Sequence, residues 1–206
     1  MTFAGSTLPR RLAALLATVW VCVSCTGTVK QAPPHSPQEA PSIPGGRFFS
    51  QWPQFRGPWG TGTASANPPY PVSWDTATRR NIAWSRAVPH SGNSSPIVWD
   101  DLLFLTGQEG MAGLLTCVDS RTGRTVWERR LVVPAPDEIP EGQTGGLAAP
   151  TPATNGRSVC ALFADGTVCC VDLSGRELWR KKLCSPRNSY GLAASPIVWK
   201  NSYIVQ

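Results

Sequence analysis

A block of forty to fifty residues occurs more than once in this chain, and that repetition limits the fold more than any single residue does. Ser95-Pro-Ile-Val-Trp99 returns as Ser195-Pro-Ile-Val-Trp199, and a weaker copy opens at Thr151-Pro152. Each is followed by a short polar turn and an apolar run: Leu102-Leu-Phe-Leu105, Ser158-Val-Cys-Ala-Leu-Phe163 and Tyr203-Ile-Val205. A second shared stretch lies further on, Thr116-Cys-Val-Asp-Ser-Arg-Thr-Gly-Arg-Thr-Val-Trp127 against Val168-Cys-Cys-Val-Asp-Leu-Ser-Gly-Arg-Glu-Leu-Trp179. Trp84 reads as the end of an earlier, partial copy. The tryptophans are then 43 and 52 residues apart, the longer interval taking up an insert over 132–146. A period of this length, with several short strands in each unit, is the mark of propeller blades. The 206 residues include 19 Gly, 20 Pro and nine Trp, which suits turn-punctuated strands with aromatic filling better than helices. The fold class expected is all-β, a β-propeller of four-stranded blades of which two to three are present.

Within a repeat the strand logic is local. Asp165-Gly166 is a strong two-residue hairpin signal, because glycine takes positive φ without a Cβ penalty. A turn centred there pairs Phe163 with Val168, Leu162 with Cys169 and Ala161 with Cys170, and puts Cys160 and Cys169 on one face, diagonally placed. Asp172 to Gly175 reads as the next turn, the carboxylate capping backbone N–H groups and the glycine supplying the left-handed position. Strict polar–apolar alternation is missing, as it is when both faces of a sheet are covered. Arg180-Lys-Lys182 reads as a solvated strand edge that discourages further pairing.

The start of the chain reads as an address. Arg10 and Arg11 precede a twelve-residue apolar run, Leu12 to Val23, with small residues at its end. That is the build of a secretory signal over 1–24, and the run is short for a membrane span. Cys25 stands where a bacterial lipoprotein signal places its lipidated cysteine, with Ser24 fitting the usual box and Cys22 departing from it. Residues 25–48 are rich in proline and read as an extended tether in which His35 is solvated. Residues 49–206 form the repeat domain. Loss of the first 24 residues lowers the net charge from +6 to +4. No basic stripe interleaved with aromatics remains to bind nucleic acid.

Cys117-Val-Asp119-Ser-Arg-Thr122-Gly123-Arg-Thr-Val-Trp127 resembles the tryptophan-docking motif of quinoprotein-type propellers, Ala-x-Asp-x-x-Thr-Gly-x-x-x-Trp, with Cys in place of Ala. The copy from Cys170 through Asp172 and Gly175 to Trp179 is one residue shorter and lacks the Thr. Trp52-Pro-Gln-Phe-Arg-Gly-Pro-Trp-Gly60 and the Ser-Pro-Ile-Val strands also resemble pyrroloquinoline-quinone-like (PQQ-like) repeat proteins, among them the lipoprotein subunit of the outer-membrane barrel-assembly machinery. The resemblance implies structural roles for Asp119, Thr122, Gly123, Trp127, Asp172, Gly175 and Trp179. It also implies a non-enzymatic propeller on the periplasmic face of the envelope, tethered to the membrane through Cys25 and partnered by envelope or outer-membrane proteins.

Two other classes stay open: a PQQ- and calcium-dependent alcohol or sugar dehydrogenase, and an envelope module binding a polymer or peptide. The dehydrogenase has one suggestive feature in Cys169-Cys170, since the resembled enzymes stack a ring of two adjacent cysteines on the quinone. Neighbours in a strand point to opposite faces, which opposes such a ring. The repeat domain, residues 49–206, has no close cluster of acidic calcium ligands, no Gly-x-Ser-x-Gly elbow and no Cys-x-x-Cys pair. No residue is therefore assigned to catalysis, to a metal or to a cofactor. Since a propeller closes with at least four blades, the chain is expected to be the N-terminal part of a longer protein.

Overall fold

The computed structural model describes residues 45–64, 70–134, 146–186 and 188–206. The proposed leader, Cys25, most of the tether and the insert over 135–145 lie outside the described residues. The described chain opens with one helical turn, α1 (Gly45–Phe49), and continues in strands β1 (Ile97–Trp99), β2 (Leu102–Glu109), β3 (Ala112–Asp119), β4 (Thr125–Val132), β5 (Ala153–Thr154), β6 (Ser158–Leu162), β7 (Thr167–Asp172), β8 (Glu177–Lys182), β9 (Ile197–Trp199) and β10 (Ser202–Ile204). They form two antiparallel four-stranded meanders, β1-β2-β3-β4 and β5-β6-β7-β8, and the hairpin β9-β10. These are two blades and the opening hairpin of a third, an all-β propeller segment.

The hairpins repeat because their turn chemistry does. Asp100, Gly156 and Lys200, at the same place in the three copies, have φ of 52°, 83° and 53°. β3 and β7 carry a bulge at matching points, after Cys117 and after Cys170. Each of these cysteines lies opposite a tryptophan, Cys117 by Trp127 and Cys170 by Trp179, so a small side chain makes room for a large one.

The Asp165-Gly166 hairpin corrects the expected register by one residue. Leu162 pairs with Val168, Ala161 with Cys169 and Cys160 with Cys170. Ala164 has left the ladder and joined the loop, because other segments use both its peptide groups. Its N–H donates to the Leu147 carbonyl at 2.9 Å, and its carbonyl accepts from Leu192 N–H at 2.9 Å. A one-residue slip exchanges faces, so Cys160 and Cys169 lie on opposite sides of the sheet.

Each blade is covered by the next. Ile97, Phe104, Leu115 and Cys117 of the first blade pack with Val159, Ala161, Phe163, Cys169 and Val171 of the second. The other face of the second blade packs Cys160, Leu162 and Val168 under Leu192, Tyr203 and Val205. β3 and β7 are accordingly buried along nearly their whole length, while β8 is exposed. Phe48, at the end of the stretch read as tether, is buried in the first cluster and packs on Trp99.

Candidate functional site

Most of the residues singled out from the sequence build the joints between blades. Asp119 Oδ1 accepts from the backbone N–H of Arg121 (3.0 Å) and Thr122 (2.9 Å) and from the Thr122 hydroxyl (3.0 Å). Those bonds, led by the Thr122 N–H and then its hydroxyl, hold the carboxyl below its usual range. In the shorter copy Ser174 does the work of the missing threonine. Asp172 Oδ1 accepts from the Ser174 hydroxyl at 2.6 Å and from the N–H groups of Ser174 and Arg176 at 3.0 Å each. The Ser174 hydroxyl, followed by Arg176, brings this carboxyl down to about 2.

Each turn receives a tryptophan from the blade before it. The Trp84 indole N–H donates to Ser120 O at 2.7 Å, and that of Trp127 to Leu173 O at 2.9 Å, the carbonyl one past the capping Asp in both cases. The indoles lie flat on the turn glycines. A Cβ on Gly123 (φ 73°) would come within 2.6 Å of Trp84, and one on Gly175 (φ 83°) within 2.8 Å of Trp127. So Gly123 meets Trp84 and Gly175 meets Trp127, each a tryptophan of the preceding blade, while Thr122 serves its own turn by bonding Asp119. Trp179 is 44% exposed, and among the described residues its indole N–H has no acceptor.

Two further interblade bonds went unread in the sequence. Arg86 donates to Gly123 O and Arg129 to Gly175 O, each at 3.0 Å. Both stand two residues after the docked tryptophan, and Lys181 holds the same place after Trp179; that spacing was the available signal. The Ser/Thr-Pro repeats form a ladder of their own. Ser95 N–H donates to the Thr151 hydroxyl oxygen, and Thr151 N–H to that of Ser195, at 2.9 Å each.

A cleft of about 390 Å³ on the uncovered face of the first blade is lined by Arg86, His90, Ser94, Leu103, Leu105 and Thr116, among others. There His90 Nε2 lies 2.8 Å from Glu128 Oε2, which also accepts from the Thr116 hydroxyl at 2.9 Å. Ser94 gives its hydroxyl proton to the Ser95 carbonyl and accepts from Thr106 N–H, so it is held by backbone and not by the histidine. The buried cysteines are thiols, not thiolates. Burial, with Asp119 adding to it, pushes Cys117 up to about 12. Burial does the same to Cys169 against the pull of Arg180, and it also raises Cys160 and Cys170. Cys169 lies in the interblade core with its sulfur 3.8 Å from Leu131 O, on the face away from Cys170. Among the described residues no three His, Cys, Asp or Glu gather as metal ligands, and no helix is long and apolar enough to cross a membrane.

Lys182 corrects the reading of the basic edge. Its ammonium lies 2.9 Å from Asp165 Oδ2, a fully buried carboxylate that also caps its own turn through Thr167. Arg180 pairs with Glu177.

Four-stranded blades joined by tryptophans docked on Asp-to-Gly turns define a PQQ-like β-propeller protein. The chain matches the family described as outer membrane protein assembly factor BamB over residues 72–206, and it belongs to that family. Among solved structures it is similar to BamB from Moraxella catarrhalis, at 20% identity and TM-score 0.41, covering 57% of this chain and 31% of that one. The quinohemoprotein alcohol dehydrogenase from Comamonas testosteroni matches at 20% identity and TM-score 0.43, covering 56% and 17%. A europium-containing methanol dehydrogenase matches at 16% identity and TM-score 0.46, covering 60% and 22%. The chain thus spans about a third or less of the length of these structures. No curated protein matches it.

Proposed function

We propose that this chain is part of a non-enzymatic β-propeller of the bacterial envelope that serves as a protein-interaction scaffold. Residues 1–24 direct export, Cys25 carries the lipid anchor, and the proline-rich tether read over 25–48 spaces the propeller from the membrane. Partners are envelope or outer-membrane proteins, in line with the family to which the chain belongs. The observation that carries the reading is the commitment of the reactive side chains. Asp119 and Asp172 are bound by their own turns, the buried cysteines stay protonated, and His90 is paired with Glu128. What these residues build is a rigid stack, and rigid stacks present their loops to partners.

The test uses the full-length protein from the native membrane. Crosslinking and affinity capture should recover outer-membrane proteins repeatedly, and intact mass should show a lipid-sized increment at Cys25. Dye-linked oxidation of alcohols or sugars that appears on adding PQQ and calcium would overturn the scaffold reading in favour of a quinoprotein dehydrogenase. Capture of an envelope polymer alone would favour the binding module.

A further inference from the structure

Three consecutive residues near the start of the repeat domain reach three consecutive blades. Val98, Thr154 and Val198 occupy the same place in the innermost strand of each copy, two residues after Pro96, Pro152 and Pro196. Val98 N–H donates to Trp52 O, Thr154 N–H to Pro53 O and Val198 N–H to Gln54 Oε1, each at 2.8 Å. Trp52 N–H also donates to Val98 O at 3.1 Å.

An innermost strand has one edge without a neighbour, and its N–H groups need acceptors wherever water is excluded. The segment 52–54 supplies one acceptor per blade. Proline suits the middle position: its carbonyl is used, it is fully buried, and it has no N–H to leave unpaired there. Gln54, buried as well, substitutes a side-chain amide for a third backbone carbonyl. The following turn locks the segment's direction. Arg56 and Gly57 have φ of 61° and 77°, and a Cβ on Gly57 would come within 2.9 Å of the Trp52 ring. This accounts for Trp52, Pro53, Gln54 and Gly57 of the Trp52–Gly60 motif.

We propose that the inner edges of successive blades form a binding site for an extended peptide segment, and that its occupant is the chain's own Trp52–Gln54. The segment acts as an axial strap that fixes each blade against the next, and among the described residues the third blade meets the strap through the Gln54 side chain. This holds whichever proposed activity is right.

The test is hydrogen exchange of single backbone amides in the intact chain, wild type against Gln54→Met, which keeps the side-chain volume and removes the acceptor. The Val198 amide should exchange about 3- to 10-fold faster, the loss expected for one net hydrogen bond, while Val98 and Thr154 keep their rates. Gln51→Met is the crossed control. Gln51 Oε1 accepts from Asp100 N–H at 2.7 Å in the first blade, so that variant should speed Asp100 and leave Val198 unchanged. An unchanged Val198 rate in Gln54→Met, or an equal acceleration at Val98, Thr154 and Val198, would overturn the strap.

Discussion

Gly175→Ala isolates the joint between the first and second blades. Two separate costs follow from its surroundings. The residue sits at φ 83°, where an L side chain costs about 1–2 kcal/mol. The new methyl would also lie 2.8 Å from Trp127 Cδ2 and 3.0 Å from Cε2 and Cε3, centred on the fused ring bond. Trp127 is 8% exposed and bonded to Leu173 O, so it has no room to retreat, and overpacking of this kind costs about 1–3 kcal/mol. The sum is roughly 2–5 kcal/mol. Gly110→Ala is the matched control, because Gly110 also has positive φ (57°) but meets nothing within 4 Å. It should cost only the backbone share, about 1–2 kcal/mol. In urea unfolding of the intact chain, Gly175→Ala should shift the midpoint about 1.5 to 4 times as far as Gly110→Ala. A cycle with Trp127→Ala should return a coupling of about 1–3 kcal/mol, since the indole supplies the three nearest atoms that the methyl would meet. Equal shifts for the two glycines, or a coupling near zero, would refute the claim that the tryptophan docks on Gly175.

The remaining expectations concern charge, thiols and the hydroxyl ladder. Asp172 has a carboxyl lowered to about 2 in the fold, against about 3.9 unfolded; its contribution is therefore complete above pH 4 and is lost as pH falls from about 4 to 2. Asp172→Asn should flatten that part of a stability-against-pH curve measured by urea midpoints. Iodoacetamide at pH 8 should label Cys184, which is half-buried, and spare Cys117, Cys160, Cys169 and Cys170 until urea is added; peptide mass mapping reads the pattern. Ser195→Ala takes away the acceptor of the buried Thr151 N–H and should cost about 1–3 kcal/mol, whereas Ser195→Thr should be silent in the same unfolding assay, because Thr151 already fills that role in its own blade.

The amino-acid sequence by itself determined the architecture. Ser95-Pro-Ile-Val-Trp99 and its copies, with the Asp-to-Gly turns at 119–123 and 172–175, are local patterns, and local chemistry is enough to make them hairpins of fixed length. Repetition then implies stacking, because one blade cannot cover its own two apolar faces. The tertiary structure decided matters that depend on distant partners. Asp165-Gly166 announces a tight turn, but whether Ala164 lies in the strand or the loop is settled by Leu147 and Leu192, 17 and 28 residues away. Lys182 looks like an edge charge until Asp165 is seen buried beside it. The strap is the extreme case, as Gln54 and Val198 are 144 residues apart. Its motif was plain in the sequence, but a hydrogen bond between two such positions leaves no periodicity to read, and only the closing of three blades around one axis brings them within 2.8 Å.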